Sequence, residues 1–146
     1  MVPFTALIGG FVALRLLGMA GVDMLDGWQP ALRGALALMF VVTGVPHFLP
    51  SWRCDFVAMI PAAFPRPALL VTVTGALELA GAAGLLLPAL APYAAIGLAL
   101  LMIAMFPANV SAARRGLTLA GKPVTPLLAR TALQVLFVAA AVAAAV

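Results

Sequence analysis

The chain has 146 residues, of which 66% are hydrophobic and 8% charged, with a net charge of +4. Soluble domains are about half apolar and about a quarter charged, and a water-soluble fold of this size has too little interior to hide so much apolar surface. Lipid is therefore the solvent, and a basic balance whose cations sit at the ends of apolar segments argues against a nucleic-acid partner.

About 20 apolar residues cross a bilayer, and five segments approach that length. The first, residues 3–22, looks like the apolar core of a signal peptide. No basic stretch precedes it, and Arg15 follows the apolar run, so it reads as a retained membrane helix. A short acidic connection, DMLDGWQP, carries Asp23 and Asp26. The second segment, 32–49, opens with Arg33 and ends in GVPHF, which holds His47, the one histidine of the chain.

The connection at 50–67 is the longest. Its centre, WRCDFVAMI, suits an amphipathic helix at the interface, and the prolines of IPAAFPRP stop it. Cys54 is the only cysteine. That excludes an intrachain disulfide, a CxxC dithiol and a cysteine zinc site, and leaves an ordinary interfacial thiol.

The third segment, 68–87, carries Glu78 near its middle. At 1.5 Å rise per residue the acid lies about 15 Å deep, near the midplane of an about 30 Å core. An ionisable group at that depth is expensive and marks a candidate site. PALAP turns the chain into the fourth segment, 93–110, where Pro107 is expected to kink the helix. Asn109 then either satisfies freed backbone groups or faces a cavity with His47. A basic, polar loop at 111–125 leads to the fifth segment, 126–146. Small residues around Gly75, Gly81 and Gly84 suit close helix packing, within a tight bundle or across a dimer seam.

Five spans put the 50–67 and 111–125 loops on one side, with Arg53, Arg66, Arg114, Arg115 and Lys122. The positive-inside rule then places the N-terminus in the cytoplasm and the C-terminus outside. The site residues expected from the sequence are Glu78, His47, Asn109, Arg15 and Arg33. Arg15, also mid-span, is the partner for Glu78 by depth. Histidine titrates near neutrality, which suits proton exchange. One histidine and one buried glutamate make no recognisable metal site.

Three stretches, RGALALMFVVTGVPHF, TGALELAGAAGLLLP and GLALLMIAMFPANV, resemble the DoxX family of small bacterial membrane proteins. The likeness covers about residues 32–112, through Arg33 and Gly34, the Gly44 to Phe48 helix end, Gly75 with Glu78 and Leu79, and the Pro107-Ala108-Asn109 run. It implies a four-helix bundle in the bacterial inner membrane, with the first helix as an addition. It also implies an accessory role in a quinone-linked redox or oxidative-stress complex, with a quinone as ligand and a thiol oxidoreductase as partner. The chain has no CxxCH and no dinucleotide loop, so an accessory subunit is expected over a self-sufficient enzyme. A binding protein for a lipid or hydrophobic small molecule, a small transporter and a scaffold remain alternatives.

Overall fold

The computed structural model describes residues 2–146. In lipid every backbone N–H and C=O must be satisfied internally, so an apolar chain folds into helices. Helix α1 spans Val2–Met19, α2 Trp28–Gly44, α3 Pro50–Met59, α4 Pro67–Leu85, α5 Ala91–Arg114 and α6 Leu127–Ala145. All but α3 are long and apolar enough to cross a membrane, which makes five candidate spans among the described residues. The fold is the all-α transmembrane bundle expected. Prolines stand in the first turns of α3, α4 and α5, where the missing N–H would have no helical partner anyway. A 3-10 turn at Asp23–Leu25 joins α1 to α2, and a second at Val45–Phe48 tightens the end of α2.

The helix ends differ from the sequence reading by one to five residues, most at α2, which ends at Gly44 rather than at 49. Helix α2 begins at Trp28 rather than at 32, and α5 runs through Pro107 to Arg114. Proline at 107 leaves the Ile103 carbonyl without its helical donor. One residue earlier, Gln134 Nε2 of α6 donates to the Met102 carbonyl at 2.6 Å. A neighbouring helix thus supports the loosened turn, which is how membrane helices tolerate proline. Helix α5, with 24 residues, is about 36 Å long, so it outruns an about 30 Å hydrocarbon core.

Helices α2, α4, α5 and α6 form a closed ring in which α2 packs on α4, α4 on α5, α5 on α6 and α6 on α2. The core at its centre includes Leu36, Met39, Phe40, Leu85 and Leu98, with Ala35, Ala95 and Ala141 where backbones come close. Helix α1 packs on α2 from outside the ring. The faces turned away from the core remain apolar, as Leu100, Ile103 and Val135 show; in a bilayer they meet lipid tails.

The polar connections form a layer at one end. Helix α3 occupies the stretch expected to lie along the interface, but it is tied to the bundle. Asp55 Oδ2 accepts from the Ala120 N–H at 2.8 Å, and Arg115 donates to the Ala58 carbonyl. The basic, polar loop after α5 holds a small hairpin, β1 (Thr118–Leu119) and β2 (Lys122–Pro123). Ala120 and Gly121 form its tip at φ +50 and +74, the left-handed pair that a two-residue turn demands.

Two glycines decide how α2 meets α4. A Cβ on Gly44 would stand 3.0 Å from Leu79 Cδ2 and 3.2 Å from Glu78 Cβ. A Cβ on Gly75 would stand 2.5 Å from His47 Cβ and 2.9 Å from its Cγ. The end of α2 is therefore level with the middle of α4. Gly75→Ala is expected to cost about 1–3 kcal/mol through overpacking. Gly97→Ala on α5, where a Cβ meets nothing within 4 Å, should be neutral or stabilise by up to about 1 kcal/mol. Melting in detergent checks both, and equal shifts would show that the α2–α4 approach is not tight.

Candidate functional site

The site grows from that close approach. Pro46 lies in the 3-10 turn Val45–Phe48, which ends α2 early and turns His47 onto α4. Glu78 is on the α4 face that meets α2. Both residues are buried, each with 5% of its surface exposed. His47 Nδ1 lies 3.9 Å from Glu78 Oε2, an approach too long for a hydrogen bond. Among the described residues Glu78 Oε2 has no hydrogen-bond partner.

The histidine's tautomer follows from its neighbour. Nδ1 lies 3.0 Å from the Thr43 carbonyl oxygen. A carbonyl only accepts, so Nδ1 carries the proton and Nε2 is the nitrogen that gains or loses one. The ring stacks on Phe56 of α3, centroids 4.5 Å apart at 14°. The His47 carbonyl accepts from Arg53 Nη1 at 3.1 Å.

The other expected site residues lie elsewhere. Arg15 does not pair with Glu78. Helix α1 packs on α2 and on the turn after it, so Arg15 Nη1 donates to the Leu25 carbonyl at 3.3 Å. Arg33 Nε donates to the Ala144 carbonyl at 2.9 Å, at the end of α6 whose last carbonyls lack helical donors. Asn109 does not face His47; its Oδ1 accepts from Arg130 Nη1, which joins α5 to α6. The polar cavity expected around Glu78 and Arg15 reduces to a Glu78–His47 pair.

The sequence reading missed Arg53 and Phe56 as neighbours of the site. Their spacing of three on one helix puts both on one face, the only signal that could have shown them. Among the described residues no three His, Cys, Asp or Glu side chains come together to hold a metal ion. Two apolar grooves open elsewhere. One of about 200 Å³ lies between α4 and α5, with Leu77, Gly81 and Leu98 in its wall. One of about 560 Å³ lies between α5 and α6, with Gln134 in its wall. Neither is lined by Glu78 or His47.

The family model of DUF8561, a domain of unknown function, matches residues 36–145. The chain belongs to the DUF8561 family. This overturns the expected DoxX membership: short apolar stretches with small residues match easily between unrelated membrane bundles, and the matched region is accounted for by another family. The expectations of a quinone ligand and a thiol oxidoreductase partner lose the likeness they rested on. The match covers the four-helix ring from Leu36 onward and leaves out α1. No curated protein and no solved structure matches the chain.

A buried acceptor without a partner costs about 1–3 kcal/mol, more when charged. Glu78→Met removes the unpaired oxygen with little change in size, so it is expected to stabilise the bundle by about that amount. Unfolding in mixed micelles checks this. A clearly destabilised Glu78→Met would mean that the carboxyl holds the helices together.

Proposed function

We propose that this DUF8561 member is a multi-pass membrane protein that exchanges a proton at the Glu78–His47 pair. It serves a small molecule or partner in the bilayer and is not a self-sufficient enzyme. The observation that carries this reading is the unpartnered Glu78 Oε2 standing 3.9 Å from the protonated His47 Nδ1. The Thr43 carbonyl keeps the first proton on Nδ1, so the imidazole takes up its second at Nε2, and the cation so formed stands beside the carboxyl and couples the two protonation states. Intramembrane acids of this kind mark proton relays and substrate paths. A proton or a water molecule needs no large cavity, which agrees with two grooves that both bypass the pair. A redox or transport partner whose reaction takes up or releases protons fits this role.

A second reading rests on the α5–α6 groove. Its about 560 Å³ are lined by apolar residues and Gln134. Mostly apolar walls with few polar groups suit a hydrophobic small molecule or lipid tail.

Orientation belongs to the same proposal. The connections on either side of α3 and the α5–α6 connection lie at one end, with Arg53, Arg66, Arg114, Arg115 and Lys122; the α1–α2 connection at the other end holds Asp23 and Asp26. The cytoplasm lies on the basic side, with the N-terminus.

Infrared spectra of the protein in bilayers should show a carboxylic acid band that comes and goes with pH and disappears in Glu78→Gln. Proteoliposomes carrying the variant should lose proton uptake. A carboxyl that never titrates while the protein stays folded would end the proton-exchange reading. Cys54, exposed on α3, should react with an impermeant maleimide in inside-out vesicles and not in intact cells. Labelling from outside intact cells would reverse the orientation.

A further inference from the structure

Helix α3 has little apolar hold on the bundle, since Met59 is its one buried residue. Polar bonds must do more of the work, and Arg53 makes three of them. Its Nη1 donates to the His47 carbonyl at 3.1 Å. Its Nη2 donates to the Ala68 carbonyl at 3.0 Å and to the Thr72 hydroxyl at 2.8 Å. Thr72 in turn donates to the Ala68 carbonyl at 3.0 Å.

These partners belong to the two segments that carry the pair. His47 is on the turn that ends α2. Thr72 is on α4, six residues before Glu78, or about 9 Å along the axis. One rigid guanidinium therefore spans the imidazole's backbone and the helix of the carboxylate. Three residues along α3, Phe56 stacks on the ring itself. The two side chains grip both the backbone and the ring of His47. The outer edge of α3 is braced by Asp55 to Ala120 and by Arg115 to the Ala58 carbonyl.

We propose that Arg53 is the positioning residue of the Glu78–His47 pair, bridging the His47 carbonyl to Ala68 and Thr72 and so setting how near the imidazole stands to the carboxyl. The proposal rests on the proton-exchange reading and adds to it the group that controls the distance. Arginine suits the task because its planar fork presents fixed donors in several directions. The ammonium of lysine is a compact point charge and cannot hold the same geometry. The charged groups nearest the ring are Glu78 from α4 and Arg53 from α3. Asp55 is engaged by the Ala120 N–H, and Arg33, at the far end of α2, is engaged by Ala144.

His47 is the chain's one histidine, so histidine labelled with nitrogen-15 reports this residue alone. Solid-state NMR in bilayers should show wild-type His47 as a single tautomer with Nδ1 protonated. Arg53→Gln should mix the tautomers and displace the pH midpoint of the ring. Arg53→Lys keeps the charge and should fail to restore the wild-type spectrum. Thr72→Val removes one acceptor, leaves the charge untouched and should shift the spectrum in the same direction; it carries the test if Arg53→Gln does not fold. An unchanged spectrum in Thr72→Val and Arg53→Gln, or full rescue by Arg53→Lys, overturns the proposal. A ring titration that also ignores Glu78→Gln would instead overturn the proton-exchange reading. The two failures are therefore distinct.

Discussion

The close backbone approach of α2 and α4 is the constraint on which the rest of the structure depends. It requires glycine at 44 and at 75, because a methyl at either place meets Leu79, Glu78 or His47. With both in place the end of α2 sits against the middle of α4. The 3-10 turn then carries His47 inward, and α3 has room to cover it. The ring of four helices closes around the same contact, through Leu36, Phe40 and Leu85.

The other polar side chains inside the spans show why Glu78 stands apart. Arg15, Arg33 and Gln134 each donate to a backbone carbonyl, and Arg130 donates to the Thr125 carbonyl and to Asn109. A helical interior is rich in carbonyl oxygens that accept a second hydrogen bond, since each has two lone pairs. It is poor in free donors, because helix N–H groups are committed to the ladder. An arginine in this setting finds partners within reach and acts as a staple. A carboxylate can only accept, and among the described residues Glu78 Oε2 finds no donor. An ionisable group at membrane depth is costly and is a functional-site candidate by default, and this imbalance is what lends weight to Glu78.

Much of the architecture was legible in the chain. Five apolar runs, prolines at their starts and cations at their ends follow directly from what a bilayer demands of a backbone. The burial of Glu78 was legible too, from its depth alone. Its partner was not. Arg15 matched it in depth, but depth along a helix says nothing about which side of the bundle that helix occupies. His47 was among the expected site residues but was paired by position with Asn109, because the sequence does not show that α2 stops level with the middle of α4. Asn109 shared that edge, yet its helix turns it toward Arg130. Family resemblance misled for a related reason: small and apolar residues recur in any tightly packed membrane bundle.

The sequence by itself determined the solvent, the number of spans, the basic end and the one acid at mid-membrane depth. These depend on composition and on distance along a helix, and both are local. Only the tertiary structure decided that His47 meets Glu78, that α1 lies outside the ring, and that Arg53 and Phe56 close over the histidine. Those facts depend on helix stagger and rotation. Stagger follows where two glycines allow backbones to touch, and rotation follows which faces pack into the shared core, and neither can be read from one segment taken alone.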